Sequence, residues 1–311
     1  MKRFLLTAAA VLLAVGGVHS AAQAQEAKKV FYLLSHGGES DPFWIDWNAG
    51  AQSACRQLNV TCNISFSGGD FAVQKEALNA AIASAPDGIG TTSAQPGLWM
   101  EEVQLAKERN IPIVFFNTDD PATGRDAYVG ADLKMAGRIW AKYLVDNGLV
   151  KEGDSVFMPV EVPGASYQQL ETEGIAEVFD PLKIKYDVVD AGTDPAGVIQ
   201  KMSEYMIAND VDAVIALGDL VAASVQRVFD NVGAAPGSIP VVGWGNSKET
   251  AQAVKAGYVN AALWQYPSHQ GFMPVALLNM AANGEPIGYD IFTLQTYDKD
   301  SVEPILKLYG E

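Results

Sequence analysis

The sequence predicts an α/β protein made of two three-layer α/β/α lobes, each built on a parallel sheet and joined by a hinge of crossing strands. Two observations carry that prediction. Short, continuous apolar runs alternate with longer segments of helical spacing almost to the end of the chain. A polar, turn-rich stretch from Thr118 to Asp132 then divides four such units from four. Strands buried between helices read as unbroken hydrophobic runs, and repeated β-α units imply parallel sheets with right-handed crossovers. Eight units also suit a closed barrel, but the interruption midway favours two lobes with a cleft between them.

Ahead of the first unit, Lys2 and Arg3 precede an apolar run from Phe4 to Val18, and Ala22-Gln23-Ala24 supplies small residues for cleavage. That is the three-part pattern of a secretory signal peptide, and the run is shorter than the roughly 20 residues that span a bilayer. A signal peptide over 1–24, cleaved after Ala24, and a periplasmic location are therefore expected. No cysteine precedes Cys55, so no lipid anchor is expected near the cleavage point.

The first four strands are expected near Lys29 (VFYLLS), Thr61 (TCNISF), Asp87 (GIGTT) and Pro112 (IVFFN). The second four are expected near Asp154 (SVFMPV), Ile184 (KYDVVDA), Asp212 (AVIAL) and Ile239 (PVVGW). After the first strand, Trp44, Trp47, Ala51, Ala54 and Leu58 recur at helical spacing and share one face. Asp41-Pro42, Asp70, Ser166, Asp194-Pro195 and Asp219 each offer a capping side chain at a helix start. Asn260 to Trp264 and Asp290 to Leu294 read as two further crossings between lobes. The N-terminal lobe then comprises 25–132 plus 266–291, and the C-terminal lobe 133–265 plus 292–311.

Composition narrows the function. The chain has 311 residues, is 49% hydrophobic and 19% charged, and carries a formal net charge of −16. Such an acidic surface repels phosphate backbones, so no nucleic-acid partner is expected. There is no phosphate-binding G-x-x-x-x-G-K-[ST] loop, no H-E-x-x-H helix, no C-x-x-C pair and no G-x-S-x-G elbow. No catalytic residue, metal or cofactor is expected, although His36 or His269 offers a general base to any enzyme reading. Cys55 and Cys62 lie at the end of the first helix and the start of the second strand, where an oxidising compartment lets them bridge; two buried free thiols are the alternative.

Five stretches carry a resemblance: SDPFW at 40–44, IPIVFFNTDD at 111–120, VDAVIALGD at 211–219, IPVVGWGN at 239–246 and AALWQYPSHQG at 261–271. Each lies at the carboxyl end of an expected strand or at a crossing, where open α/β sheets bind ligands. With the leader and the two lobes, they make the chain resemble the sugar-binding proteins of bacterial ABC importers. More narrowly, it looks like the ribose/galactose-type (class I) periplasmic binding proteins. The resemblance implies a monomer that captures a sugar or polyol between its lobes and delivers it to a membrane ABC permease and its ATPase.

The resemblance also implies site residues. Phe43 and Trp44 would stack on the ligand, with Asp41 either touching it or capping the helix. Asn117, Thr118 and Asp119 stand where the family keeps a polar pair that grips hydroxyls, and Gln265 matches its glutamine at the crossing. In the second lobe the pattern departs. Glu171 stands where the family has an arginine, Gly218 followed by Asp219 replaces an asparagine, and Gly245 replaces an aspartate, leaving Trp244 and Asn246. The two glycines are expected to leave room for a bulkier ligand, and Gln168 and Gln169 to replace the arginine's donors. A linear polyol, a modified sugar and an autoinducer-like furanose all fit these departures. An autoinducer-like or chemosensory receptor and, less favoured, a secreted sugar-modifying enzyme are alternative readings of the same architecture.

Overall fold

A computed structural model describes residues 27–311, so the expected signal peptide lies outside the described residues. In the first half, β1 (Val30–Ser35), β2 (Thr61–Phe66), β3 (Gly88–Thr91) and β4 (Ile113–Asn117) alternate with α1 (Pro42–Gln57), α2 (Phe71–Ala83) and α3 (Met100–Glu108). A fifth strand, β5 (Ala127–Gly130), lies inside the stretch that the sequence analysis reads as an interruption. All four of its residues are buried, but a run so short between polar turns gives no signal of its own.

The chain then enters a second set: α4 (Leu133–Asp146), β6 (Ser155–Val160), α5 (Ser166–Phe179), β7 (Lys185–Asp190), α6 (Pro195–Ala208) and β8 (Ala213–Ala216). It continues through α7 (Asp219–Val232), β9 (Val241–Trp244), α8 (Lys248–Ala256) and β10 (Ala261–Trp264). The last elements are α9 (Pro267–Ala282), β11 (Asp290–Phe292), β12 (Gln295–Asp298) and α10 (Glu303–Leu308).

These strands form two six-stranded sheets, ordered β11-β5-β4-β3-β1-β2 and β12-β10-β9-β8-β6-β7. Every pairing is parallel except that of β10 with β12. Apolar clusters cover both faces of each sheet, so the architecture is two α/β/α layers-of-three. The chain passes between the sheets after β5, after β10 and after β11. The segments 260–264 and 290–294 are therefore largely strands that flank crossings. Phe292, assigned from sequence to the second lobe, pairs with Gly130 in the first sheet.

Helix starts follow the expected chemistry at three of five positions. Asp41, Asp70 and Asp194 each accept backbone N–H bonds at the heads of α1, α2 and α6. Ser166 and Asp219 do not cap; each is already the first residue of its helix. The head of α7 is capped from elsewhere, by Glu161, whose Oε1 accepts from Leu220 N at 2.8 Å and Val221 N at 3.1 Å. A carboxylate at a helix N-terminus also sits well in the helix dipole.

Two helix pairs are in backbone contact. A Cβ on Gly271 would collide with the Trp47 carbonyl, and one on Gly137 with the Glu171 carbonyl. The first contact presses α9 onto α1, whose Trp47, Ala51 and Ala54 are wholly buried. The second presses α4 onto α5 and fixes the backbone of Glu171. Cys55 and Cys62 are joined by a disulfide across the turn from α1 to β2.

Candidate functional site

A cavity of about 530 Å³ opens between the two sheets. It lies at the carboxyl ends of β1 and β4 on one side, and of β6, β8, β9 and β10 on the other. Polar residues placed there point their side chains away from the hydrophobic layers, which is why such crevices bind ligands.

The first wall is aromatic. Asp41 Oδ1 accepts from Phe43 N at 2.9 Å, and Pro42 occupies the first helical position, so the opening turn of α1 is held in place. That turn carries Phe43 and Trp44 into the cavity lining. The two rings meet edge-to-face at 4.9 Å, and Trp44 rests on Trp47 at 5.5 Å. Trp44 thus belongs to the helix's buried face and to the cavity at once. His36 packs edge-on to Trp44 at 5.2 Å, and burial holds its imidazole neutral by pushing its pKa down to about 4. Asn117 ends β4 with φ of 62°, a left-handed turn that presents it and Thr118 to the same space.

The second wall is acidic. Glu161, Glu171 and Asp219 line it, facing Asp41 across the cavity. Glu171 is fully buried; its Oε1 accepts from Trp244 Nε1 at 3.0 Å, while Oε2 has no partner among the described residues. Asn246 Nδ2 donates to both carboxylate oxygens of Asp219, at 2.9 and 3.0 Å. Its Oδ1 accepts from the backbone N of Gln265 at 2.7 Å. Burial raises all four carboxyls, Asp41 to about 6, Glu161 to about 7 and Asp219 to about 8, with Glu171 well above the usual range, and repulsion from neighbouring carboxylates raises Glu161, Glu171 and Asp219 further.

Of the side chains named from sequence, Asp41, Phe43, Trp44, Asn117, Thr118, Glu171, Asp219, Trp244 and Gln265 line the cavity. Asp119, Gln168, Gln169 and Asn246 do not. Asp119 turns outward into a two-pronged ion pair with Arg125, at 2.7 and 2.6 Å, which Arg125 extends to Asp290. Gln168 spends its amide on Gly164 N and Thr172 Oγ1, and Gln169 bonds the Gly164 carbonyl, so neither replaces an arginine's donors at the cavity. Asn246 stands one layer behind, aligning Asp219 and Gln265.

The two glycines do not open space. A Cβ on Gly218 would strike the Glu161 carboxylate, and one on Gly245 would strike the Tyr297 hydroxyl, so both volumes are already filled. Glu161 and Tyr167 are lining residues the sequence analysis passed over. Glu161 directly follows β6, and its place at the carboxyl end of a strand is the signal that could have found it.

Beside the cavity the two lobes touch. Ser166 N donates to the Ala94 carbonyl at 3.0 Å, and Ser166 Oγ donates to the Ser93 carbonyl at 3.4 Å.

Comparison with known proteins adds four findings. The family model of the periplasmic binding protein domain matches residues 31–286. The chain is 24% identical over 274 residues to the xylose/arabinose-binding protein of Sulfolobus acidocaldarius, covering 81% of this chain and 66% of that protein, just under two thirds of its length. It is 25% identical to the ribose import binding protein of Haemophilus influenzae, covering 92% of this chain and 96% of that one. Among solved structures, a carbohydrate transporter from Acidothermus cellulolyticus in complex with myo-inositol superposes with a TM-score of 0.82. That match has 21% identity over 90% of this chain and 98% of the other.

Proposed function

The chain belongs to the periplasmic binding protein family, and on that premise we propose that it captures a sugar or polyol between its two lobes and hands it to a membrane ABC permease driven by an ATPase. The observation that carries this reading is the pairing of walls around one cavity. Phe43 and Trp44 give flat apolar faces for the C–H side of a ring or carbon chain, and Gln265 and Asp219 face them with groups that hydrogen-bond hydroxyls. The named ligands of the relatives, xylose, arabinose and ribose, and the myo-inositol of the solved structure support the class of ligand.

Capture proceeds by hinge bending at the three passages between the sheets, a motion for which periplasmic binding proteins are a standard example. The bond from Ser166 N to the Ala94 carbonyl supports a closed arrangement of the lobes that encloses the ligand. Enclosure makes unmatched hydroxyls costly, about 1–3 kcal/mol for each buried group left unpaired, and selectivity follows. The reading includes export by the leader over 1–24, a monomer in the periplasm, and no reaction on the ligand. His36 is neutral and its Nδ1 has no partner among the described residues to orient it as a base.

A thermal-shift screen with D-xylose, L- and D-arabinose, D-ribose, D-allose and myo-inositol tests the proposal. At least one should raise the melting temperature in a saturable way and be recovered unchanged after incubation. No shift from any of them, or recovery of a converted product, would overturn it.

A further inference from the structure

We propose that the ligand carries a protonated amine, seated against Glu171, Glu161 and Asp219 on the second wall of the cavity; this rests on the reading of the cavity as a sugar or polyol site. The class of ligand is then an amino sugar or aminated polyol.

Four carboxyls, Asp41, Glu161, Glu171 and Asp219, face one cavity of about 530 Å³. The single permanently cationic residue among those lining it is Arg227, which is exposed at the rim together with Glu249. His36 adds no charge and Tyr167 none, so nothing in the wall balances the acids. A neutral sugar would satisfy hydrogen bonds but offer these buried acids no counter-charge, so they would keep their protons. An ammonium group offers three donors and the positive charge that lets the carboxyls ionise beside it.

The unpartnered atom locates the seat. Glu171 Oε2 is buried and has no hydrogen-bond donor among the described residues, whereas Glu161 and Asp219 are held by the head of α7 and by Asn246. Those protein donors leave each carboxylate with capacity to accept more. A metal ion fits less well: among the described residues no three acidic, histidine or cysteine side chains converge at coordinating distance. The raised carboxyls agree, since groups that titrate near neutral pH give up protons when a cation arrives beside them.

Calorimetric titration of the mature protein at pH 7 with matched pairs tests this: D-glucosamine against D-glucose, D-galactosamine against D-galactose, and 1-amino-1-deoxysorbitol against sorbitol. Each is run in two buffers of different ionisation enthalpy. In at least one pair the aminated member should bind about tenfold or more tightly than its counterpart, with net proton release. Glu171→Gln and, independently, Asp219→Asn should each cut that preference to within about threefold, in variants whose circular dichroism matches the parent. Neutral members binding as well as or better than aminated ones in every pair overturns the inference and leaves the sugar reading intact. Putrescine binding while no member of any pair binds overturns the sugar reading and, with it, an aminated sugar as ligand. Binding of none of these overturns the inference, while the sugar reading stands or falls on the thermal-shift screen.

Discussion

Asn246 lies between Asp219 and Gln265 without itself lining the cavity, donating from Nδ2 to both Asp219 oxygens at 2.9 and 3.0 Å. The same amide's oxygen takes the Gln265 backbone N–H. One buried side chain thereby orients two cavity residues that come from the ends of different strands. Replacing it with alanine strands a buried N–H and loosens an acid, which should cost about 1–3 kcal/mol in urea denaturation. Ligand affinity should fall as well, because both partners lose their orientation. An Asn246→Ala protein with unchanged stability would show that the linkage is unimportant.

Gly218 and Glu161 form a second coupled pair. Gly218→Ala should destabilise by about 1–3 kcal/mol because the added methyl meets a carboxylate held by the head of α7. The same change made in a Glu161→Ala background should cost clearly less, since the obstacle is gone. Equal costs in the two backgrounds, read by a double-mutant cycle, would contradict the filled-volume argument.

Stability of the ligand-free protein should depend on pH through the same wall. Asp219 is raised from 3.8 to about 8, so its folded form holds a proton that the unfolded chain releases. A raised acid favours the fold fully below pH 4 and loses that favour as pH climbs toward 8. Other carboxylates act in the opposite sense at low pH, so the informative quantity is a difference. The melting temperature of Asp219→Asn minus that of the parent should rise between pH 5 and pH 8.5. A flat difference would mean that Asp219 ionises normally.

The disulfide lies at the end of α1 and the start of β2, whereas the cavity lies at the carboxyl ends of the strands. Reduction, or the double change to alanine, should lower stability by about 2 kcal/mol, as expected for a short closed loop. Ligand affinity should stay the same. A loss of affinity on reduction would mean that the bridge reaches the site.

Much of this is legible in the amino-acid sequence. Buried parallel strands announce themselves as unbroken apolar runs, and the resemblance to class I periplasmic binding proteins implied Asp41, Phe43, Trp44, Asn117, Glu171, Asp219 and Gln265, all of which line the cavity. What stayed hidden depends on distant parts of the chain. β5 is four residues long and is recognisable mainly through its pairing with β4 and β11. Asp119 turns outward to Arg125, which Asp290 holds in place from the other side. The spaces beside Gly218 and Gly245 are occupied by Glu161 and Tyr297, tens of residues away in sequence, so a missing side chain did not mean a missing volume.

The most direct test of two opposing walls around one guest changes one residue from each. Trp44→Ala and Gln265→Ala, titrated calorimetrically with whichever compound shifts melting most, should each weaken binding about tenfold or more while the fold persists. Parent-like affinity in either variant would contradict the account, because that wall would then play no part in holding the ligand.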